Sequence, residues 1–211
     1  MTLSELGIPR TLEDTADPAR AALVVYDMQA GILSQLPHGP EVLARVLDVL
    51  SFARERGHPV FFLRHMSLPA KLAGVFQRRQ AMHWQRLERQ EDIRPWFLRD
   101  SPGFALADEL GPREDEAIFD KISMSAFEGT PLAMALRDLG LTSFMLCGIA
   151  TEIGLAPTVR HGSDLGFIPI VIEDACGHGH AEAGERALQN MRFLGDAIMT
   201  TTNELRTAFA S

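Results

Sequence analysis

The chain lacks several features that would have fixed its class at once. It has two cysteines, no apolar run approaching the ~18 residues of a membrane span, no internal repeat and no low-complexity tract. Two cysteines cannot form a disulfide framework. Cys147 and Cys176 both lie in apolar, strand-like surroundings, which predicts reduced thiols. Positive charge is scarce as well: 20 Lys and Arg stand against 28 Asp and Glu, a formal net charge of -8. That balance argues against a nucleic-acid partner, because phosphate binding needs a basic footprint. The opening stretch MTLSELGIPRTLEDTADPAR has neither the basic start nor the apolar run of a signal peptide. These absences predict a cytoplasmic protein with no membrane and no nucleic acid among its partners.

What is present is an ordinary globular composition, 46% hydrophobic and 23% charged over 211 residues, enough for one domain over 1–211 with its own core. Strand-like and helix-like patterns alternate along it. AALVVYD (21–27), HPVFFLRH (58–65), DEAIFDK (115–121), TSFMLCG (142–148), GFIPIVIEDA (166–175) and GDAIMT (195–200) read as strands. Helical patterns fill 40–57, which starts on proline and stops at glycine, then 71–92, 129–140, 152–165 and 181–194. Residues 95–113, rich in Pro and Gly, read as an irregular connector. The alternation predicts an α/β fold: a Rossmann-like, doubly wound, mostly parallel six-stranded sheet with helices on both faces. Ligands in such sheets bind beyond the carboxyl ends of the strands.

Three strand ends carry candidate chemistry. The first delivers Asp27 in VVYDMQ. Burial behind ALVVY raises such a carboxyl's pKa unless a cation offsets it, although an aspartate here also suits a helix N-cap. The third delivers Lys121 in FDKISMSAF, which either pairs with Asp27 or snorkels past the strand end. The fourth runs into GIATEIG, a strand–helix turn whose N–H groups also suit an anion or an oxyanion. Tyr26 and Gln29 flank Asp27 and are candidates for a pocket lining.

Other features leave two readings each. Lys71, Arg78, Arg79, Arg86, Arg89 and Arg94 make 71–94 a basic segment in an acidic chain. It reads as a lid gripping an anionic substrate, or as a solvated helix or subunit contact. Trp84, His83 and Phe76 on that helix, and Phe127 in SAF, are pocket walls or packing residues. Cys147 reads as core, and Cys176 has no activating base beside it in sequence. DACGHGH gathers Asp174, Cys176, His178 and His180, but the spacing fits no strong zinc pattern. We expect no metal and no cofactor.

Taken in order, VVYDMQ, DKISMSAFEGTPL, and CGIATEIGLAPTVRHGSDLGF followed by PIVIEDAC resemble the isochorismatase-like (cysteine hydrolase) superfamily over most of the chain. The resemblance implies a Rossmann-like parallel sheet, a small-molecule substrate and a homo-oligomer, either dimer or tetramer. By the same resemblance Asp27 is the catalytic aspartate, Lys121 the catalytic lysine, and Gly154 stands where most members carry the nucleophilic cysteine. It further implies a cis peptide between Ile149 and Ala150 and an oxyanion hole from the Ala150 and Gly154 N–H groups. At the second strand end LRHMS offers only His65, not the Asp-x-His of metal-binding nicotinamidases.

A glycine cannot form the acyl-enzyme of the family's amidases. The Asp-Lys-Gly pattern is similar instead to true isochorismatases, which cleave an enol ether without a covalent intermediate. There the aspartate protonates the vinyl carbon and water captures the oxocarbenium. The expectation is therefore an isochorismatase-like hydrolase using non-covalent acid/base chemistry on a small, anionic molecule, an enol ether in preference to an amide. Gln29, Phe127, Arg79 and Trp84 are its substrate-binding candidates. The alternative is a non-catalytic binding protein that kept the fold and lost the nucleophile.

Overall fold

The computed structural model describes residues 7–94 and 96–210. Its strands are β1 (Ala21–Tyr26), β2 (Val60–His65), β3 (Ala117–Lys121), β4 (Ser143–Gly148), β5 (Ile168–Cys176) and β6 (Ile198–Thr200). They form one six-stranded sheet in the order β3-β2-β1-β4-β5-β6, with every neighbouring pair parallel. Chain direction across the sheet reverses between β1 and β4, so the crevice expected of a doubly wound sheet opens at their carboxyl ends.

The helices are α1 (Leu12–Thr15), α2 (Ala30–Leu33), α3 (Gly39–Arg56), α4 (Val75–Gln85), α5 (Leu132–Asp138), α6 (Ala156–Asp164), α7 (Ala181–Leu194) and α8 (Thr202–Ala208). Alternate residues of each strand enter separate cores. Leu23, Val25, Met145 and Ile170 pack with Val46, Val49 and Leu50 of α3 and Leu205 of α8. Val24, Tyr26, Phe144 and Leu146 pack with Leu132 and Leu136 of α5, Val159 of α6 and Met191 of α7. Because both faces of β1 are covered, all six of its residues are buried, which is why it reads as an unbroken apolar run. Among the described residues no helix is long and apolar enough to cross a membrane.

Several boundaries differ from the sequence reading for local reasons. The helix expected over 71–92 is only α4, because Arg86 turns left-handed (φ 54) and ends it; a single 3-10 turn follows at Gln90–Asp92. The helix expected from 129 begins at Leu132, after the Thr130 hydroxyl donates to the Ala126 carbonyl and forms a local turn. The 152–165 helix opens as a π-helical turn, Thr151–Leu155, before α6. Helix α8 was not expected, although its capping box was legible in TTNE: the Thr201 hydroxyl accepts from the Glu204 N–H, and the Glu204 carboxylate returns to the Thr201 N–H.

Gly148 closes β4 at φ 122, and a Cβ there would fall on the backbone of Tyr26 in β1. No side chain fits so close an approach, so the crevice between β1 and β4 depends on this glycine. Gly148→Ala is expected to destabilise the fold by on the order of 3 kcal/mol through clash and strain together. Gly57→Ala, at positive φ but in open space, loses only about 1 kcal/mol. Urea melts of the two variants make the comparison.

Candidate active site

Four adjacent strand ends build the site. In sheet order they deliver Lys121 (β3), His65 (β2), Asp27 (β1) and the Gly148–Ala150 segment (β4). Lys121 Nζ lies 2.7 Å from Asp27 Oδ2, with both side chains almost entirely shielded from solvent. The ammonium also donates to the Ser123 carbonyl at 3.3 Å and sits 4.1 Å from the centre of the Tyr26 ring. A cation on an aromatic face recovers part of the hydration it has lost.

Burial raises the Asp27 pKa above the ordinary carboxylate value, and Lys121 partly opposes that rise. It lowers that of Lys121, with Asp27 partly opposing. The two groups are thus drawn toward each other in proton affinity. Asp27 itself holds a left-handed backbone (φ 48), uncommon outside glycine and tolerated best by Asn and Asp. Its second oxygen, Oδ1, is buried without a hydrogen-bond partner among the described residues. Such an orphan in a folded protein calls for an explanation.

Tyr26 supplies the decisive packing. It is the chain's sole tyrosine, and its ring occupies the space that a side chain at 154 would need. A Cβ built on Gly154 falls on Tyr26 Oη, Cε1 and Cζ. The phenol donates to the Met124 carbonyl. Burial, and next to it Asp27, push its pKa well above the usual value, which keeps the hydroxyl protonated.

The peptide between Ile149 and Ala150 is cis. The Ala150 N–H has no acceptor among the described residues. Gly154 differs: its N–H donates to the Ala150 carbonyl at 2.9 Å inside the π-helical turn. Of the two N–H groups expected as oxyanion donors, helical bonding therefore uses that of Gly154 and leaves that of Ala150. Glu152, in the same turn, accepts from the Gly179 and His180 N–H groups at 2.8 Å each. It therefore serves the start of α7, where a carboxylate meets the helix dipole favourably.

A cavity of about 240 Å³ opens beside Asp27. Tyr26, Trp84, Trp96, Phe97, Ile149 and Ile153 give it mostly apolar walls, and Ala150, Met124 and His65 complete its inner end. His65 is neutral, its pKa lowered to about 3 first by burial and then by Lys121. Trp96 and Phe97 belong to the connector after residue 95, which is tied over the sheet by Ser67 N–H donating to the Phe97 carbonyl at 2.8 Å. The sequence reading missed both; aromatics inside an irregular connector were the available signal.

Three substrate-binding candidates lie elsewhere. Gln29 is fully buried, its amide donating to the His65 and Phe104 carbonyls and accepting from the His65 N–H. All its polar capacity pins backbone, so none reaches the cavity. Phe127 is in the core, stacked on Phe167 at 5.7 Å, because apolar neighbours on α5 and β4 enclose it. Arg79 points to solvent on the outer side of α4, and Phe76 and His83 are likewise exposed. Of the helix candidates only Trp84 reaches the wall.

The anionic substrate fares no better: no Lys or Arg among the described residues lines this cavity. The basic segment spends its cations otherwise. Arg78 donates to the Ala70 and Ala73 carbonyls, Arg89 pairs with Glu91, and Lys71, Arg86 and Arg94 are exposed. Among the described residues no group of three His, Cys, Asp or Glu side chains is placed to hold a metal.

Replacing Lys121 by Met strands a buried carboxylate and is expected to lower stability by about 3–5 kcal/mol near neutral pH. The deficit shrinks as pH falls through the raised Asp27 pKa, because the neutral acid tolerates burial. Asp27→Asn combined with Lys121→Met recovers most of the loss. Denaturant unfolding at two pH values provides the measurement, and equal losses in the single and double variants would contradict it.

Comparison with known proteins adds the lineage. An isochorismatase domain model matches residues 21–204. The chain is 30% identical over 180 residues to YecD, an uncharacterized isochorismatase family protein of Escherichia coli O157:H7, covering 81% of this chain and 86% of YecD. It is 29% identical over 187 residues to the ureidoacrylate amidohydrolase RutB of Methylobacterium radiotolerans, covering 81% and 72% respectively. A solved isochorismatase family protein from Burkholderia thailandensis superposes with a TM-score of 0.74 at 27% identity, covering 97% of this chain and 100% of that one. With fold and sequence in agreement, this chain belongs to the isochorismatase family of hydrolases.

Proposed function

We propose that this family member hydrolyses a small, uncharged molecule directly, without a covalent intermediate, with Asp27 as the acid/base and Lys121 as its electrostatic partner. One observation carries the reading. Asp27 lines an open cavity with one oxygen on Lys121 and the other unpartnered, while Tyr26 fills the place of any side chain at 154. An acid/base group lines the cavity, and no Cys, Ser or Thr among the described residues does.

The chemistry follows from the pair. Burial raises one proton affinity and lowers the other, so the Asp27–Lys121 pair holds a proton that it can present to a substrate in the cavity. Delivery to the vinyl carbon of an enol ether produces an oxocarbenium; water captures it and returns a proton to the pair. The resulting hemiketal then separates into a carbonyl compound and an alcohol. No step asks for a strong nucleophile, which favours this bond over an amide. The Ala150 N–H, without an acceptor among the described residues, orients a substrate oxygen or the water. Uncharged substrates are favoured by walls without cations.

The resemblance to a ureidoacrylate amidohydrolase supports a second reading. In it Asp27, as the carboxylate, takes a proton from water and the water attacks an amide or ureide carbonyl. A turnover panel of neutral enol ethers against small amides and ureides separates the two. In either case Asp27→Asn is expected to reduce turnover at least about 100-fold. Unchanged turnover in that variant would sink the acid/base reading.

The pH profile distinguishes the acid from the base. If the pair delivers a proton, activity falls on the alkaline side as Lys121 loses its own, below the ordinary lysine value of 10.5. In Lys121→Met the proton resides on Asp27 alone, so the falling limb moves to lower pH. An ascending limb in the same variant would indicate a base. Gly154→Cys, meanwhile, is expected to cost about 1–3 kcal/mol of stability, because its Cβ displaces Tyr26. Adding Tyr26→Val should return part of that loss in a thermal melt.

A further inference from the structure

Between the strands that deliver Asp27 and Lys121 lies β2, which ends at His65. The main chain there is pinned from both sides. The Gln29 side chain accepts the His65 N–H at 2.6 Å and donates to the His65 carbonyl at 3.0 Å. The next residue, Met66, donates its N–H to the Lys121 carbonyl at 2.8 Å. Two aromatic rings then hold the imidazole: Trp84 at 6.3 Å between centroids and Phe97 at 5.8 Å, inclined at 68° and 81°.

Backbone and ring are thus fixed, yet the polar atoms of the ring are unused. The hydrogen bonds of His65 among the described residues are made by its backbone, and neither ring nitrogen is sealed from solvent. The imidazole stands where the Asp27 cavity meets a second one, of about 260 Å³, beneath α4, and it lines both. Its neighbours keep it uncharged. Burial and then the Lys121 ammonium lower its pKa to about 3, and Asp27 is already engaged by that ammonium. On the α4 side Arg78 is held by the Ala70 and Ala73 carbonyls, Glu91 by Arg89, and Arg94 is exposed. A neutral imidazole offers one N–H donor and one bare nitrogen acceptor.

We infer that His65 is a specificity-determining residue, whose imidazole receives an uncharged substrate group that both donates and accepts hydrogen bonds, such as a hydroxyl or a carboxamide. A carboxylate has no donor for the bare nitrogen, and no Lys or Arg among the described residues lines the Asp27 cavity to receive its charge. A hydrocarbon displaces water and leaves the nitrogens unpaired, a cost that a matching group avoids. A group so held lies beside Asp27, on the neighbouring strand. Its bearing on turnover rests on the acid/base reading above; the binding itself does not.

Benzyl alcohol and toluene provide the test, since they share a ring and differ in the hydroxyl. The His65 imidazole nitrogens of the 15N-labelled full chain, assigned by substitution, report location directly. They should keep the shifts of a neutral ring from about pH 5 to 8 and move when benzyl alcohol is added. Ligand-observed NMR titration gives affinities in the millimolar range expected of molecules this small. The ratio of benzyl alcohol to toluene affinity should fall at least about fivefold in His65→Phe, and His65→Leu replaces that variant should it melt early. His65→Asn puts an amide where Nδ1 stands and His65→Gln puts one where Nε2 stands, so at least one of them should restore the wild-type ratio.

Asp27→Asn should leave the ratio unchanged, because the hydroxyl rests on His65. Loss of turnover in that variant with the ratio retained supports both readings; unchanged turnover with the ratio retained removes the acid/base reading and leaves the role of His65 standing. That role is overturned if His65→Phe keeps the ratio, or if neither amide variant restores it. It is equally overturned if the His65 nitrogens titrate in that pH range or ignore benzyl alcohol, or if Asp27→Asn abolishes the ratio, which would seat the hydroxyl on Asp27.

Discussion

Two opposite charges buried at the carboxyl edge of a parallel sheet constrain much of what surrounds them. Neither Asp27 nor Lys121 could remain there alone, since an unpaired buried charge costs several kcal/mol. Their strands are not neighbours: β2 lies between, so the lysine reaches across His65 to the aspartate. His65 is correspondingly held neutral, by burial first and by the ammonium second. Tyr26 offers its ring face to the same ammonium and fixes its hydroxyl on the Met124 carbonyl. With the ring so placed there is no volume left at 154, and glycine is the residue that fits. The glycine that seemed to mark a lost nucleophile is also the packing partner of a tyrosine.

The cavity beside this cluster takes its character from what covers the sheet's end. The aromatic connector at Trp96 and Phe97 and Trp84 on the inner face of α4 turn apolar surface toward it. The basic residues of the same segment are tied to backbone carbonyls, paired, or left in water. A charge run along a chain therefore says little about the polarity of the pocket that the run encloses. Direction matters more than composition, and direction is set by helix phase.

Much of the fold was legible because buried parallel strands write themselves as short apolar runs. AALVVY and SFMLCG are covered on both faces and could hardly be read otherwise. Boundaries were less legible where a single backbone angle decides, as at Arg86, where a left-handed residue stops a helix that periodicity would continue. At the site, Asp27 and Lys121 were legible as residues at strand ends. Gln29 and Phe127 stood out equally in the sequence, yet one is consumed by backbone hydrogen bonds and the other by aromatic packing. Nothing local to either residue distinguishes these outcomes.

Sequence alone determined the alternation of strands and helices, the doubly wound class, the lineage, and the absence of a thiol at 154, because each is written in consecutive residues or a fixed order of motifs. Tertiary structure decided which candidates meet. It brought Lys121 to Asp27 over 94 positions of chain, put Tyr26 into the space at Gly154, and gathered Trp84, Trp96 and Phe97 from separate segments around one cavity. The physical reason is that hydrogen-bond partners, desolvation and free volume belong to sets of residues that only folding makes neighbours.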